Sequence, residues 1–204
     1  MNKIEYEKKQ EHKNIKNYEK QYNKSFLMTT RFNNKTAYEN KIYREKKNHI
    51  GCFYNTPTLI SNKIPKESNL FVLEMNNETD RIMGVGLIIN KPVHNHYKVY
   101  SNNDYNIHTY IGKYRIDRND MTADEEYIMK IFDHLCFRGQ NHMKRGQGIT
   151  SFSSKILYRC RNIIDLVKSV ENMFKNMINP CKNNEIVVFT TNSLNDCWKR
   201  KTIL

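Results

Sequence analysis

Alanine occurs only twice in this chain of 204 residues, tryptophan once and proline four times. The shortage of alanine, set against many Asn, Lys, Ile and Tyr, is the mark of an AT-rich coding sequence and not of a particular chemistry. It weakens any argument from lysine number alone. No apolar run approaches the roughly 18–20 residues of a membrane-spanning helix, and the amino terminus is charged, so neither a span nor a signal peptide is expected. Five cysteines (Cys52, Cys136, Cys160, Cys181 and Cys197) form no CxxC pair and no even framework. That excludes a thiol-redox motif and argues for a reduced, intracellular protein. Also missing are the phosphate-binding GxxxxGK[ST] loop, the dinucleotide fingerprint, the nucleophile elbow and the kinase signature set. An enzyme is therefore not indicated, and no catalytic residue, resident metal or cofactor is assigned.

What is present is positive charge, unevenly spread. The formal net charge is +13: residues 1–50 contribute +7, 51–137 contribute −2, 138–161 contribute +6 and 162–204 contribute +2. The middle of the chain is nearly neutral. Residues 138–161 hold six basic side chains and no acid. Clustered Lys and Arg raise the local concentration of polyanions and speed encounter, so nucleic acid is the expected partner, with acidic proteins as an alternative.

The organisation reads as α+β. Residues 1–25 form a charged arm, partly disordered or weakly helical, and 26–204 a single domain. GCFYNT (51–56), NLFVLEM (69–75) and RIMGVGLIIN (81–90) are strands, the last two joined as a hairpin by the turn-rich NNETD. Gly84 and Gly86 mark a bulge or a close approach of something to the backbone. Further strands are expected at 96–101, 106–111 and 113–117. Thr122 and Glu125 form a capping box for a helix that buries Ile128, Ile131, Phe132 and Leu135. A second helix is expected over 154–178, and EIVVFTT (185–191) as a closing strand. The whole is a small mixed or antiparallel sheet, or a barrel, with two packed helices.

The candidate site is the loop RGQNHMKRGQGITSF after Phe137. Its glycines permit backbone N–H groups to converge on an anion, and arginine can grip phosphate through two hydrogen bonds. Arg138, His142, Lys144, Arg145, Gly146, Gln147 and Gly148 form the expected nucleic-acid contact. Lys155 and Arg159, four apart on the next helix, extend it, and Ser151, Ser153 and Ser154 are candidate caps near that helix's start. Tyr97, Tyr110 and Tyr114, set among cations, are candidates for stacking on unpaired bases, which favours RNA over DNA. Two rival chemistries are weaker. His94 and His96 would share a face if their segment were a strand, but no further ligand arrives at metal spacing. Asp117, Asp120 and Asp124 could supply a nuclease-like carboxylate cluster, although Asp124 is better explained as a helix-start residue.

Two resemblances follow from quoted motifs. FVLEMNNETDRIMGVGLIINKP, YIGKYRIDRNDM and HMKRGQGIT together resemble an uncharacterised protein group of nucleocytoplasmic large DNA viruses, the giant viruses. This implies a viral protein, with a virion structural or assembly role as the alternative to nucleic-acid binding, and transfers no catalytic residues. GCFYNTP followed by RIMGVGLI is similar in order to the PUA-like barrels, including the EVE and YTH groups. That resemblance implies an RNA or modified-base pocket beside Gly84 and Gly86. The tryptophan cage of a methyl-base reader has no counterpart, since Trp198 stands alone.

Overall fold

The computed structural model describes residues 3–22, 25–140 and 142–179. In chain order the elements are α1 (Lys3–Glu19), β1 (Ser25–Phe32), α2 (Asn34–Lys46), β2 (Cys52–Thr56), β3 (Asn69–Asn76) and β4 (Arg81–Ile89). There follow β5 (His108–Gly112), β6 (Tyr114–Asp117), α3 (Ala123–Phe137), β7 (Thr150–Ser151), α4 (Ser154–Cys160) and α5 (Leu166–Ile178).

Five strands form one mixed sheet in the order β6-β4-β3-β1-β7, and β2 pairs with β5 in a separate ribbon. The β3–β4 hairpin at its centre is antiparallel, whereas β1 lies parallel to β3. Parallel neighbours require a crossover, and α2 with β2 forms part of it. Strand alternation then sorts the core into two layers. Phe71, Leu73 and Met75 of β3 pack beneath α3, α4 and α5. Leu70 and Val72 point the other way, toward Phe53, Tyr54 and Tyr110 of the β2–β5 ribbon. The helix α1 docks at one side, with Tyr18 buried and its ring edge-on to Tyr158 at 5.9 Å.

The glycine expectation in β4 is met by close approach. A Cβ at Gly86 would overlap the Tyr54 hydroxyl and the Cys52 side chain, so glycine is what lets the ribbon lie on the sheet. The capping box at Thr122 and Glu125 is formed in both directions.

Several expectations need correction. The five-stranded sheet is open among the described residues, with β6 and β7 at its edges, and is not a closed barrel. Residues 96–101 form no strand, because side-chain amides take over their backbone groups. Asn106 accepts from the N–H groups of Val99 and Tyr100 and donates to the Tyr100 carbonyl, while Asn55 donates to the Tyr97 carbonyl. The single helix over 154–178 is two, since the Cys160 carbonyl is taken by a turn and Asp165 caps a new helix through the Lys168 N–H. Nor are there only two helices: α1 and α2 add to the set. The strand expected at 185–191 lies outside the described residues.

Candidate functional site

The loop between α3 and β7 is tied down at several points. Arg138 closes α3 through its N–H to the His134 carbonyl, Gly139 turns the chain at φ 75°, and the Met143 N–H returns to the Cys136 carbonyl. From β1, Arg31 reaches across: its Nε donates to the Met143 carbonyl at 2.9 Å and its Nη1 to Thr150 Oγ1 at 2.6 Å. From the end of the hairpin, the Asn77 amide donates to the Lys144 carbonyl at 3.1 Å. Gly146 and Gly148 hold φ of 125° and 65°, conformations that favour glycine. The segment is thus a fixed wall, not a loose connection.

The basic residues on it divide into two groups. Arg138 and Arg145 are exposed, and no described group neutralises them. Lys144 instead forms an ion pair with Asp80 and sits 5.9 Å from the centre of the Phe137 ring. Arg159 is held by Glu11 of α1, with Nη2 2.8 Å from its carboxylate. Lys155 is half-buried on α4, a helix of seven residues whose N-cap, Ser153, makes no side-chain hydrogen bond. The continuous basic track expected from Lys144 to Arg159 is therefore interrupted by two acids from elsewhere in the chain. His142 is half-buried, and its Nδ1 has no hydrogen-bond partner.

The tyrosines are not brought together. Tyr110 is a core residue at 1% exposure whose hydroxyl accepts the Ile60 N–H, so its ring has no face to offer a base. Tyr97 packs against Phe53 with ring centres 5.1 Å apart. Tyr114 is exposed, but it lies on β6, at the sheet edge opposite β7.

Beside the loop is a cavity of about 220 Å³ that sequence reasoning did not find. Gly146, Gln147 and Gly148 form one wall, Thr30 and Arg31 of β1 another, and Tyr100 and Tyr105 a third, with Phe32, Asn33, Thr36, Asn55, Pro57 and Asn77 completing it. Among the described residues the lining contains one cation and no acid. That cation, Arg31, has its basicity lowered by burial, and its described hydrogen bonds all go to neutral oxygens. The sequence carries no signal for this role of Arg31: alternation places it on the face of Leu27 and Thr29, and the β1–β7 pairing brings it to the loop.

At the far edge of the sheet a larger cleft, about 540 Å³, opens between α2 and the β4–β6 side. Its walls alternate in sign, with Lys41, Arg44, Arg81, Arg115 and Arg118 facing Glu45, Glu74, Asp117 and Asp120, so it presents little net field to a polyanion. On its floor the Arg115 guanidinium grips Glu74 at 2.7 Å and Asp117 at 2.7 Å, while the Tyr54 hydroxyl donates to Glu74 at 2.8 Å. Burial pulls Arg115 down, but Glu74 outweighs it and raises its basicity overall. Burial pushes the Asp117 carboxyl up, and the hydrogen bonds from Arg115 and the Asn119 N–H more than reverse this. Arg118 is likewise clamped by Glu126 and Asp133. Arg118 holds Glu126 below the usual carboxylate range, whereas burial leaves Asp133 above it. The Cys52 thiol, buried beneath this region, is pushed up to about 12 by burial.

These contacts use Asp117 as a partner for Arg115 and Asp124 as a first-turn acid of α3. His94 and His96 are exposed on a segment that is not a strand, so the shared-face argument does not apply to them. Among the described residues no group of three or more His, Cys, Asp or Glu side chains is placed to hold a metal ion. No described helix is long and apolar enough to cross a membrane. Comparison of the chain with protein-family models, with curated proteins and with solved structures gives no match.

Proposed function

We propose that this protein is a non-enzymatic nucleic-acid-binding module that contacts phosphate through the Arg138–Gly148 loop, with single-stranded RNA favoured over DNA. The observation that carries the reading is the absence of acid. Residues 138–161 contain none, and the cavity that Gly146, Gln147 and Gly148 border has none among the described residues of its lining. Arg138 and Arg145 stand at the surface with no described acid on them, Arg145 next in the chain to Gly146 of the lining, and Arg31 lies within it. Lys144 and Arg159, occupied by Asp80 and Glu11, contribute less than their charge suggests. A loop-and-cavity surface suits an unstacked strand, whose bases can splay outward, better than the groove of a duplex. The reading does not require a PUA-like barrel.

The test is titration of labelled single-stranded RNA and matched duplex DNA at several salt concentrations. The expected result is tighter binding of RNA, with log K falling by about 0.7 per phosphate contact for each decade of salt. Replacing Arg138 and Arg145 together by alanine should reduce that slope by about 1–2. Weak, polymer-blind binding with an unchanged slope in the double variant would refute the assignment. It would turn attention to acidic protein partners and to virion assembly.

A further inference from the structure

We infer that the cavity beside the loop receives one unstacked nucleotide of the bound strand, its phosphate on Arg31 and its base against Tyr105. This rests on the nucleic-acid reading above and adds a specific subsite to it.

The first argument is the charge on Arg31. A half-buried guanidinium satisfied only by neutral oxygens lacks the counter-charge that normally offsets desolvation. Its three described hydrogen bonds go to the carbonyls of Thr29 and Met143 and to Thr150 Oγ1, through Nε and Nη1; no described group partners Nη2. The acids at the hairpin turn are engaged elsewhere: Glu78 accepts the Asn34 N–H, and Asp80 pairs with Lys144. Among the described residues, the seat for a negative charge is therefore present and not filled.

The second is the glycine wall. A Cβ placed on Gly146 would lie 3.3 Å from Arg31 Cζ, directly over the guanidinium that an anion would have to reach. At Gly148 a Cβ would sit 3.2 Å from the Thr58 hydroxyl. A side chain at Gly146 would crowd the guanidinium, and both positions hold backbone angles that favour glycine.

The third is the remainder of the lining. In the lining, the Asn77 Oδ1 is buried with no described hydrogen-bond partner. Buried polar atoms are almost always paired, so atoms left over beside a cavity point to a ligand or water as the missing partner. The Gln147 side chain also has no described partner and offers both donor and acceptor, as reading a base edge requires. Tyr105 is 39% exposed at the rim and meets Tyr100 edge-on at 6.3 Å, leaving a ring face for stacking. About 220 Å³ is below the roughly 300 Å³ at which pockets for drug-sized ligands begin, and fits one base with part of its sugar.

The experiment follows the backbone amides of residues 146–148 by ¹H–¹⁵N NMR. Uridine 5′-monophosphate, adenosine 5′-monophosphate and inorganic phosphate are titrated into the full chain, and a short single-stranded RNA is titrated in parallel by anisotropy. Saturable shifts at those amides with a nucleoside monophosphate, and binding of phosphate alone at least tenfold weaker, are expected. Tyr105→Ala and Gln147→Ala, both at the surface, should weaken the monophosphate at least fivefold while the salt slope for RNA stays unchanged. If RNA binds and the monophosphates leave these amides unshifted, the subsite is refuted and the nucleic-acid reading stands. If phosphate binds as tightly as the monophosphates, the base contact is refuted. If neither RNA nor monophosphate binds, both readings fall.

Discussion

At the β4–β6 edge of the sheet, Arg115 and Arg118 are sunk into the protein and each is gripped by two carboxylates. At the β1–β7 edge, Arg31 is also drawn inward, but among the described residues only neutral oxygens and a cavity meet it. The same side chain is used in two ways on one sheet. Paired, it fixes how β6, α3 and the β2–β5 ribbon sit on the central hairpin, and its charge is spent internally. Unpaired, it leaves a positive charge available to something outside the chain. Total charge would not have separated these cases. The location of the acids does.

The comparison can be broken first by removing one member of the buried pair. Arg115→Ala leaves Glu74 buried without its partner and should cost about 3–5 kcal/mol in denaturant unfolding. Glu74→Ala should do the same from the other side. By contrast, Arg31→Met should cost about 1.5–3 kcal/mol, the value of hydrogen bonds that involve a charged group. It should lower RNA affinity by about tenfold. Equal stability losses for Arg115→Ala and Arg31→Met would erase the distinction between the two edges.

Acid sharpens it further. Asp117 and Glu126 have folded-state pKa values below their ordinary ones, so their contribution is complete above the unfolded value of about 4 and is lost as pH falls through the folded value. Asp133, held above its ordinary value, works in the opposite direction and loses its contribution as pH rises through its folded value. Urea midpoints measured from pH 6 down to pH 2 should fall, and the fall should be smaller in Asp117→Asn and Glu126→Gln. The smallest effect on stability belongs to the surface. Arg138→Ala with Arg145→Ala should stay within about 0.5 kcal/mol of the parent, while its RNA salt slope drops.

What was legible in the sequence was what local pattern determines. The 69–76 and 81–89 hairpin, its turn and the Thr122 capping box needed only alternation and spacing. Strand β1 escaped because Thr29, Thr30 and Arg31 break its apolar run, and α2 because residues 34–46 carry no apolar stripe. Both are held by packing that the sequence does not display. Residues 96–101 have good strand composition, but Asn55, 42 positions before Tyr97, and Asn106, in the next turn of chain, take their backbone groups. At the site, the glycines and exposed arginines of the loop could be read directly. The neutralisation of Lys144 by Asp80, 64 positions away, and of Arg159 by Glu11, 148 positions away, could not. Nor could the meeting of Arg31 with Gly146, which depends on β1 and β7 becoming neighbours.

The most direct test of the central claim is photo-crosslinking of the full chain to single-stranded RNA carrying 4-thiouridine, followed by peptide mapping. The account expects crosslinks in residues 138–148 and at Tyr105, reduced when Arg138 and Arg145 are replaced by alanine. Crosslinks confined to α1, or to the cleft between α2 and β6, would contradict it.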